Sequence, residues 1–171
     1  MQRIESTLRG GVILLLLSLV LAAPALADPS DLAPDVRAKL DSLPDDLTRI
    51  EYLSQEVAEK PNDASLQFAL GNLQLDAGKL DQAVQSLLKV TELSPEFLGG
   101  WVNLGNAYDE LGQLDSAMQK YETALALSPN DERTLCNLGG VYFKKRQIPQ
   151  ALAAFQTAID QHPQSQLAHY N

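Results

Sequence analysis

The sequence is poor in the residues that most enzymes and metal sites use. Its 171 residues include one cysteine, Cys136, and two histidines, His162 and His169. A single cysteine cannot form an internal disulfide, and two histidines without a third ligand do not suggest a zinc site. No phosphate-binding glycine loop and no nucleophile–base set occurs along the chain. We therefore expect a non-enzymatic protein with no metal and no cofactor.

Positive charge is also scarce. Thirteen Lys and Arg residues face 22 Asp and Glu residues, which gives a net charge of −9. This balance opposes nonspecific attraction to nucleic-acid phosphates or to anionic lipid. With 45% hydrophobic and 20% charged residues, the composition is that of an ordered domain whose partners are not nucleic acids.

A hydrophobic run long enough to cross a membrane is missing as well. The apolar stretch from Val12 to Ala23 is shorter than the roughly 20 residues that a membrane-spanning helix needs. Two arginines precede it and an Ala-Leu-Ala sequence follows at 25–27, a pattern typical of a secretory signal peptide. We predict that residues 1–27 are a signal peptide. The remaining chain would be exported, to the periplasm or alternatively a thylakoid lumen or the extracellular space, without stable membrane insertion after cleavage.

The feature that the sequence does have is a repeat of 34 residues. Prolines, Leu-Gly pairs, alanines and bulky side chains each recur at that step. The columns are Pro61, Pro95, Pro129 and Pro163; Leu70-Gly71, Leu104-Gly105 and Leu138-Gly139; Ala83, Ala117 and Ala151; and Leu87, Tyr121 and Phe155. A fixed period of this length predicts helix–turn–helix units that bury their apolar faces by stacking.

Glycines occupy two kinds of position in this repeat. Those in the Leu-Gly pairs lie inside helices, where glycine costs about 1 kcal/mol relative to alanine. We therefore expect the paired helix to approach closely there, with the column of small alanines facing the glycines. Gly78 and Gly112 fall between helices, where a left-handed turn residue is expected, and Arg146 takes that place in the third unit. Asp63, Asp131 and Ser165 are positioned to cap the next helix.

Several columns together carry a family resemblance. The sequence from Trp101 to Tyr108, followed by Gly112, Ala117, Tyr121, Ala124 and Pro129, resembles the tetratricopeptide repeat signature. The third unit is similar through Leu138, Gly139, Tyr142, Ala151, Phe155, Ala158 and Pro163. The first unit departs from the signature, with Gln67, Gln74 and Val90 in place of the aromatic residues and the alanine.

The resemblance implies an all-α fold, a right-handed superhelical solenoid of antiparallel helix pairs. Its three units are expected at 64–97, 98–131 and 132–165, and residues 166–171 would begin an incomplete fourth unit. Upstream, residues 28–63 are expected to hold a linker and an N-terminal capping helix. An apolar stripe at helical spacing between Pro44 and Lys60 predicts that helix as part of a degenerate repeat. Residues 28–41 would be a linker or a loosely docked helix.

In tetratricopeptide proteins, the first helices of successive units line a concave groove that holds peptides. The resemblance therefore implies a peptide-binding groove in this chain. Its candidate residues are Phe68, Asn72, Leu75, Val102, Asn103, Asn106, Asp109, Arg133, Asn137, Phe143 and Lys144. Four of them form two neighbouring rows, called here the asparagine ladder: Asn72, Asn103, Asn106 and Asn137. An amide can donate and accept at once, which suits contacts with a peptide backbone. Asparagine is also a common consensus residue at these positions, so a purely structural role is the alternative.

One subfamily grips carboxylates at chaperone C-termini with a clamp of two lysines, two asparagines and one arginine. Asn72 and Asn103 match the clamp asparagines, and Arg133 keeps the charge of one lysine. Phe68 and Asn137 replace the other two cations, which argues against that ligand. The remaining charges predict a ligand with an acidic end near the third unit and a basic end near the second.

Three classes of function fit these observations. The first is an exported module that binds a peptide or protein segment in the groove, as an adaptor or assembly factor. The second is a structural protein that self-assembles into a homo-oligomer through its C-terminal end. The third is the accessory region of a larger enzyme.

Overall fold

The computed structural model describes residue 28 and residues 30–161, and this part of the chain folds into eight α-helices joined by short connections. The signal peptide and the fourth unit expected from the sequence, together with Ser165 and both histidines, lie outside the described residues. The helices are α1 Pro34–Ser42, α2 Asp46–Glu59, α3 Ala64–Asp76, α4 Leu80–Leu93, α5 Leu98–Glu110, α6 Leu114–Leu127, α7 Glu132–Lys144 and α8 Ile148–Gln161.

Helix boundaries from α3 onward repeat at the 34-residue step of the sequence. The first helices α3, α5 and α7 begin at residues 64, 98 and 132, and the second helices α4, α6 and α8 begin at residues 80, 114 and 148. Each first helix packs against the second helix that follows it, and each second helix packs against the next first helix. The expected all-α helical solenoid is thus confirmed.

Aspartate side chains cap the N-termini of two of the first helices. One Asp63 carboxylate oxygen accepts hydrogen bonds from the backbone amides of Ser65 and Leu66, at 3.0 and 3.1 Å. The Asp131 carboxylate accepts from the backbone amide of Thr134 at 2.9 Å. Both satisfy amides that have no partner inside the helix, as expected for these two residues.

The turn inside each unit reverses the chain through one left-handed residue. Gly78 has φ 69° and Gly112 has φ 73°, and Arg146 adopts φ 62° in the third unit. In all three turns, the next amide donates to a carbonyl five residues back, closing the helix end in the same way. The repeat therefore keeps its turn geometry even where glycine is replaced.

The glycines of the Leu-Gly pairs allow close helix packing, but their neighbours differ from the expected ones. A Cβ added to Gly105 would lie 2.5 Å from Cε1 of Tyr121, and one on Gly71 would lie 2.8 Å from Cγ of Leu87. The predicted close approach is confirmed. The expectation that alanines face the glycines was wrong, because the nearest atoms belong to the bulky residues Leu87 and Tyr121. The absence of a side chain on each glycine makes room for the large side chain of the paired helix.

Residues 34–42 form a helix, the second of the two forms expected for this segment. Val36 of α1 is 3% exposed and shares a core cluster with Ile50 and Leu53 of α2 and with Leu66 and Leu70 of α3. Apolar contact thus links α1 to the first complete unit.

Arg49 of α2 also ties α1 in place. Its Nε donates to the carbonyl oxygen of Leu40 and its Nη2 to that of Leu43, both at 3.2 Å. These carbonyls lie at the end of α1, where intrahelical donors are lacking. One arginine of α2 therefore binds two carbonyls at the end of α1 and holds the two helices together.

Gln67 of the first unit makes the same hydrogen bond as the tryptophan that it replaces. Gln67 donates from Nε2 to the carbonyl of Pro61 at 3.1 Å, as Trp101 donates from Nε1 to the carbonyl of Pro95 at 2.7 Å. A side-chain N–H reaches back to the repeated proline in both units. The weaker signature of the first unit is thus matched by an equivalent hydrogen bond.

Candidate functional site: the concave face

The first helices lie on the inner side of the solenoid. Helix α3 contacts α5, and α5 contacts α7, directly as well as through the second helices between them. Side chains of α3, α5 and α7 that are not buried in these contacts share one surface, which we call the concave face. Each candidate groove residue lies on one of these three helices.

The asparagine ladder consists of two hydrogen bonds between successive first helices. Asn103 donates from Nδ2 to Oδ1 of Asn72 at 2.7 Å, and Asn137 donates from Nδ2 to Oδ1 of Asn106 at 2.9 Å. All four side chains are half-buried. Each pair thus joins two units, which is a structural role that sequence reasoning left as an alternative.

These bonds leave part of each amide available. The bond uses the amide oxygen of Asn72 and the amide nitrogen of Asn103. Within the described residues, the amide nitrogen of Asn72 and the amide oxygen of Asn103 have no hydrogen-bond partner. Asparagine offers two donor hydrogens and an oxygen with two lone pairs. The ladder can therefore hold the helices together and still present a donor and an acceptor to a ligand.

Tyr121 of α6 supports the ladder from behind. Its hydroxyl donates to Oδ1 of Asn106 at 2.8 Å, and its side chain is 1% exposed. Burial raises the pKa of Tyr121, and the carboxylates of Asp109 and Glu110 raise it further, against an opposing hydrogen bond from Asn137. The hydroxyl is therefore protonated and donates at any physiological pH.

Sequence reasoning missed this contact because it treated Tyr121 only as a bulky core residue. The available signal was the hydroxyl itself, which neither Leu87 nor Phe155 carries in the same column. A buried tyrosine hydroxyl usually requires a hydrogen-bond partner.

Two of the three charged candidates, Asp109 of the second unit and Lys144 of the third, neutralise each other. Lys144 places Nζ 2.7 Å from both carboxylate oxygens of Asp109. Arg133 is exposed and forms no ion pair with any described residue. Asp109, which was expected to bind a basic end of the ligand, is thus already paired. Arg133, which was expected to bind an acidic end, remains available.

The apolar candidates differ strongly in exposure. Val102 of α5 is 0% exposed, so the prediction that it lies on the groove surface was wrong, and its side chain is part of the hydrophobic core. Phe68 is half-buried and meets the ring of Phe97 edge-on, with ring centroids 4.8 Å apart. Leu75 is half-buried against the core between α4 and α5. Phe143 is 62% exposed and is the open apolar side chain of the set.

Gly140 is a further feature of the concave face that sequence reasoning missed. It stands one and two periods after Asn106 and Asn72, so the ladder column lacks a side chain in the third unit. A Cβ built on Gly140 would have no atom of residues 30–161 within 4 Å. The signal was present in the 34-residue alignment, as the break in an asparagine column.

Outside the concave face, the described residues offer a cavity but no metal site. No group of three or more His, Cys, Asp and Glu residues between 30 and 161 could hold a metal ion. A cavity of about 560 Å³ lies at the N-terminal end, beside α1, and its walls include Leu32, Val36 and Lys60. In this same part of the chain, no helix is long and apolar enough to span a bilayer.

The described helices form a solenoid whose inner face carries both polar and apolar side chains. This architecture is that of helical-repeat scaffolds for protein–protein interaction. Family models agree. Models described as tetratricopeptide repeat match residues 64–97 and 136–171, and one described as TPR repeat matches residues 105–146. The chain belongs to the tetratricopeptide repeat family.

Solved structures similar to this chain include several of MamA. MamA MSR-1 is 27% identical over 74% of this chain and 70% of that chain, with a TM-score of 0.64. MamA AMB-1 is 28% identical over 69% of this chain and 70% of that chain, with a TM-score of 0.65. Another MamA crystal structure, at 23% identity and a TM-score of 0.69, supports the fold alone. No curated protein matches the sequence.

Proposed function

We propose that this chain is a non-enzymatic interaction module that binds a peptide or protein segment on its concave face. One observation carries the proposal: α3 and α5 present unused amide groups of Asn72 and Asn103, and α7 on the same face carries Phe143, which is 62% exposed. Backbone-directed amides and an apolar anchor are the two kinds of contact that peptide recognition commonly combines.

The wider role that fits this module is that of an exported adaptor or assembly factor. The apolar run after two arginines, ending at an Ala-Leu-Ala sequence, supports export through residues 1–27. Periplasmic export would bring the protein to partners in the cell envelope. Mass spectrometry of the mature N-terminus tests this part, since a chain that still begins at Met1 in the cell would contradict it.

Selection of peptides tests the binding function directly. The purified protein is exposed to a phage-displayed library of random peptides of about ten residues, which span roughly 33 Å when extended. We expect a defined set to be retained. Phe143→Ala and Asn103→Ala should weaken its binding about tenfold or more, as loss of a central anchor does.

A matched control uses Gln119→Ala, an exposed polar residue on α6. This variant should bind the selected peptides like the wild type. If no peptide is retained by the folded protein, or if both concave-face variants bind as well as the control, the proposed function is wrong.

A second candidate function, self-association, is favoured by one feature of α8. Leu152 is 65% exposed, although Val84 and Met118 at the same register pack against the next first helix. Light scattering across a range of protein concentrations tests it. Association through this face should be reduced by Leu152→Glu and left unchanged by Gln119→Glu.

A further inference from the structure

Gly140 is a helical glycine whose presence the packing does not explain. Glycine inside a helix costs about 1 kcal/mol relative to alanine. At the preceding position this cost is offset, because a Cβ on Gly139 would lie 2.6 Å from Cε1 of Phe155. Among the described residues, no atom lies within 4 Å of a Cβ built on Gly140, so this part of the fold would accept a side chain there.

The space above Gly140 has chemically distinct walls. Residues three and four positions away share one helix face, which places Asn137, Phe143 and Lys144 around Gly140. The amide of Asn137 is held by Asn106, and the ammonium group of Lys144 is held by Asp109. Phe143 is 62% exposed. We call this open space the Gly140 notch: it has one apolar wall and walls of polar groups that are already fixed.

A free positive charge lies on the same helix. Arg133 is exposed, precedes Gly140 by seven residues and has no ion-pair partner among the described residues. Seven helical residues rise about 10 Å, which is close to the length of three residues in an extended peptide.

The third unit as a whole is basic. Between residues 132 and 161, the described chain has four basic residues and two acidic ones. The rest of the molecule is strongly acidic, since the whole chain carries −9. Lys144 and Lys145 pair with Asp109 and Asp115 of the second unit, so Arg133 and Arg146 carry the positive charge that is left for a ligand among the described residues. An acidic segment is attracted to that charge and repelled by the acidic remainder of the molecule.

We propose that the Gly140 notch receives a large apolar side chain, packed against Phe143, from an acidic peptide. A carboxylate three positions away on that peptide pairs with Arg133. The proposal rests on the proposed function and specifies the ligand of the same face. The asparagines of the first two units would hold the peptide backbone, and the missing asparagine of the third unit would admit its anchor.

Parallel selections on two variants test the notch. Peptides retained by the wild type should share a large apolar residue and an Asp or Glu at a spacing of three. Gly140→Leu fills the notch and should bind these peptides about tenfold or more weakly, while selecting peptides that lack the apolar residue. Arg133→Gln should lose the preference for the acidic residue and keep the preference for the apolar one.

Gly140→Asn supplies a second filling variant, because asparagine already stands at this register in α3 and α5. Circular dichroism melts should show it folded and at least as stable as the wild type, and it should weaken the same peptides. Gln119→Leu, which adds the same apolar side chain on α6, should not alter binding.

The outcomes separate this inference from the function on which it rests. If the wild type retains peptides that Asn103→Ala weakens, but folded Gly140→Leu and Gly140→Asn bind them unchanged, the notch is overturned and the binding function stands. If the wild type retains no peptide, the proposed function itself fails. Selected peptides without a shared apolar residue would also overturn the notch.

Discussion

Arg146 occupies a backbone conformation that favours glycine. Its φ of 62° lies in the left-handed region, where Gly78 and Gly112 stand in the other two turns. A residue with a Cβ pays roughly 1–2 kcal/mol for this conformation. The third turn forms because the helices on both sides of it, α7 and α8, pack against each other.

Replacing Arg146 with glycine should therefore stabilise the protein. We expect Arg146→Gly to raise the free energy of unfolding by about 1 kcal/mol, through relief of the backbone strain. Urea titration followed by circular dichroism measures the change. Gly112→Arg is the matched control and should lower stability by a similar amount, since a Cβ there meets no neighbouring atom. A neutral or destabilising Arg146→Gly would contradict the argument.

Tyr121 gives the molecule a predictable response to alkaline pH. Because its pKa is raised above the ordinary value of about 10, the folded state holds the hydroxyl proton more tightly than the unfolded state. This contribution to stability is complete below about pH 10 and is lost as the pH rises above it.

Tyr121→Phe should thus reduce the loss of stability above pH 10. At neutral pH the variant should be less stable by about 0.5–1.5 kcal/mol, because the hydrogen bond to Asn106 is removed. Urea titrations at a series of pH values compare the two proteins. If the free energy of unfolding falls equally steeply with pH above 10 in the wild type and the variant, the Tyr121 hydroxyl is not the cause of the alkaline loss of stability.

At the scale of a helix, two adjacent glycines of α7 have opposite roles. Gly139 faces the ring of Phe155, whereas Gly140 faces open space. Gly139→Ala should lower the free energy of unfolding by about 1–3 kcal/mol through overpacking. Gly140→Ala should raise it by up to about 1 kcal/mol through helix propensity. Thermal and urea unfolding of both variants checks the pair. Variants that change stability in the same direction would refute this assignment of roles.

Helix α1 illustrates what an element-level prediction can miss. Its few apolar residues suggested either a linker or a loosely docked helix, and the structure has a helix whose Val36 is buried. Further contacts come from Arg49, which lies on α2 and donates to two carbonyls at the end of α1. Such a contact between a side chain and a distant backbone group leaves no periodic trace in the sequence.

At the scale of the whole molecule, stability should spread only between neighbouring units. In a solenoid, each unit contacts the units beside it and no others. Leu87 is 0% exposed in the core of the first complete unit, so Leu87→Ala should cost about 2–5 kcal/mol.

Hydrogen exchange can show how far that loss travels. Amides of α3, α4 and α5 should exchange faster in Leu87→Ala, and those of α7 and α8 should change less. Gln85→Ala, at an exposed position of the same helix, should leave exchange unchanged throughout. A uniform increase across all helices would indicate that the described part of the chain unfolds as a single unit.

Much of the candidate site could be placed on its helices from the sequence, but its contacts could not. The asparagine ladder was predicted as a row of groove residues, yet Asn72 and Asn103 bond to each other across 31 residues. Asp109 and Lys144 were expected to face opposite ends of a ligand, and they form an ion pair instead. The 34-residue period defines which residues share a face. Whether two of them touch depends on the curvature between units, which many small packing contacts set together.

The sequence by itself determined the helices, the left-handed turns and the stacking order, because each depends on local chemistry that recurs every 34 residues. Glycine next to a bulky residue, a capping aspartate and a repeated proline act within one unit and can be recognised there. Only the tertiary structure decided which concave-face groups are already paired and which are available. Val102 is buried, Asp109 is neutralised, and Phe143, Arg133 and the space above Gly140 remain open. That difference arises because availability to a ligand is set by distances between units, and the sequence of one unit does not encode those distances.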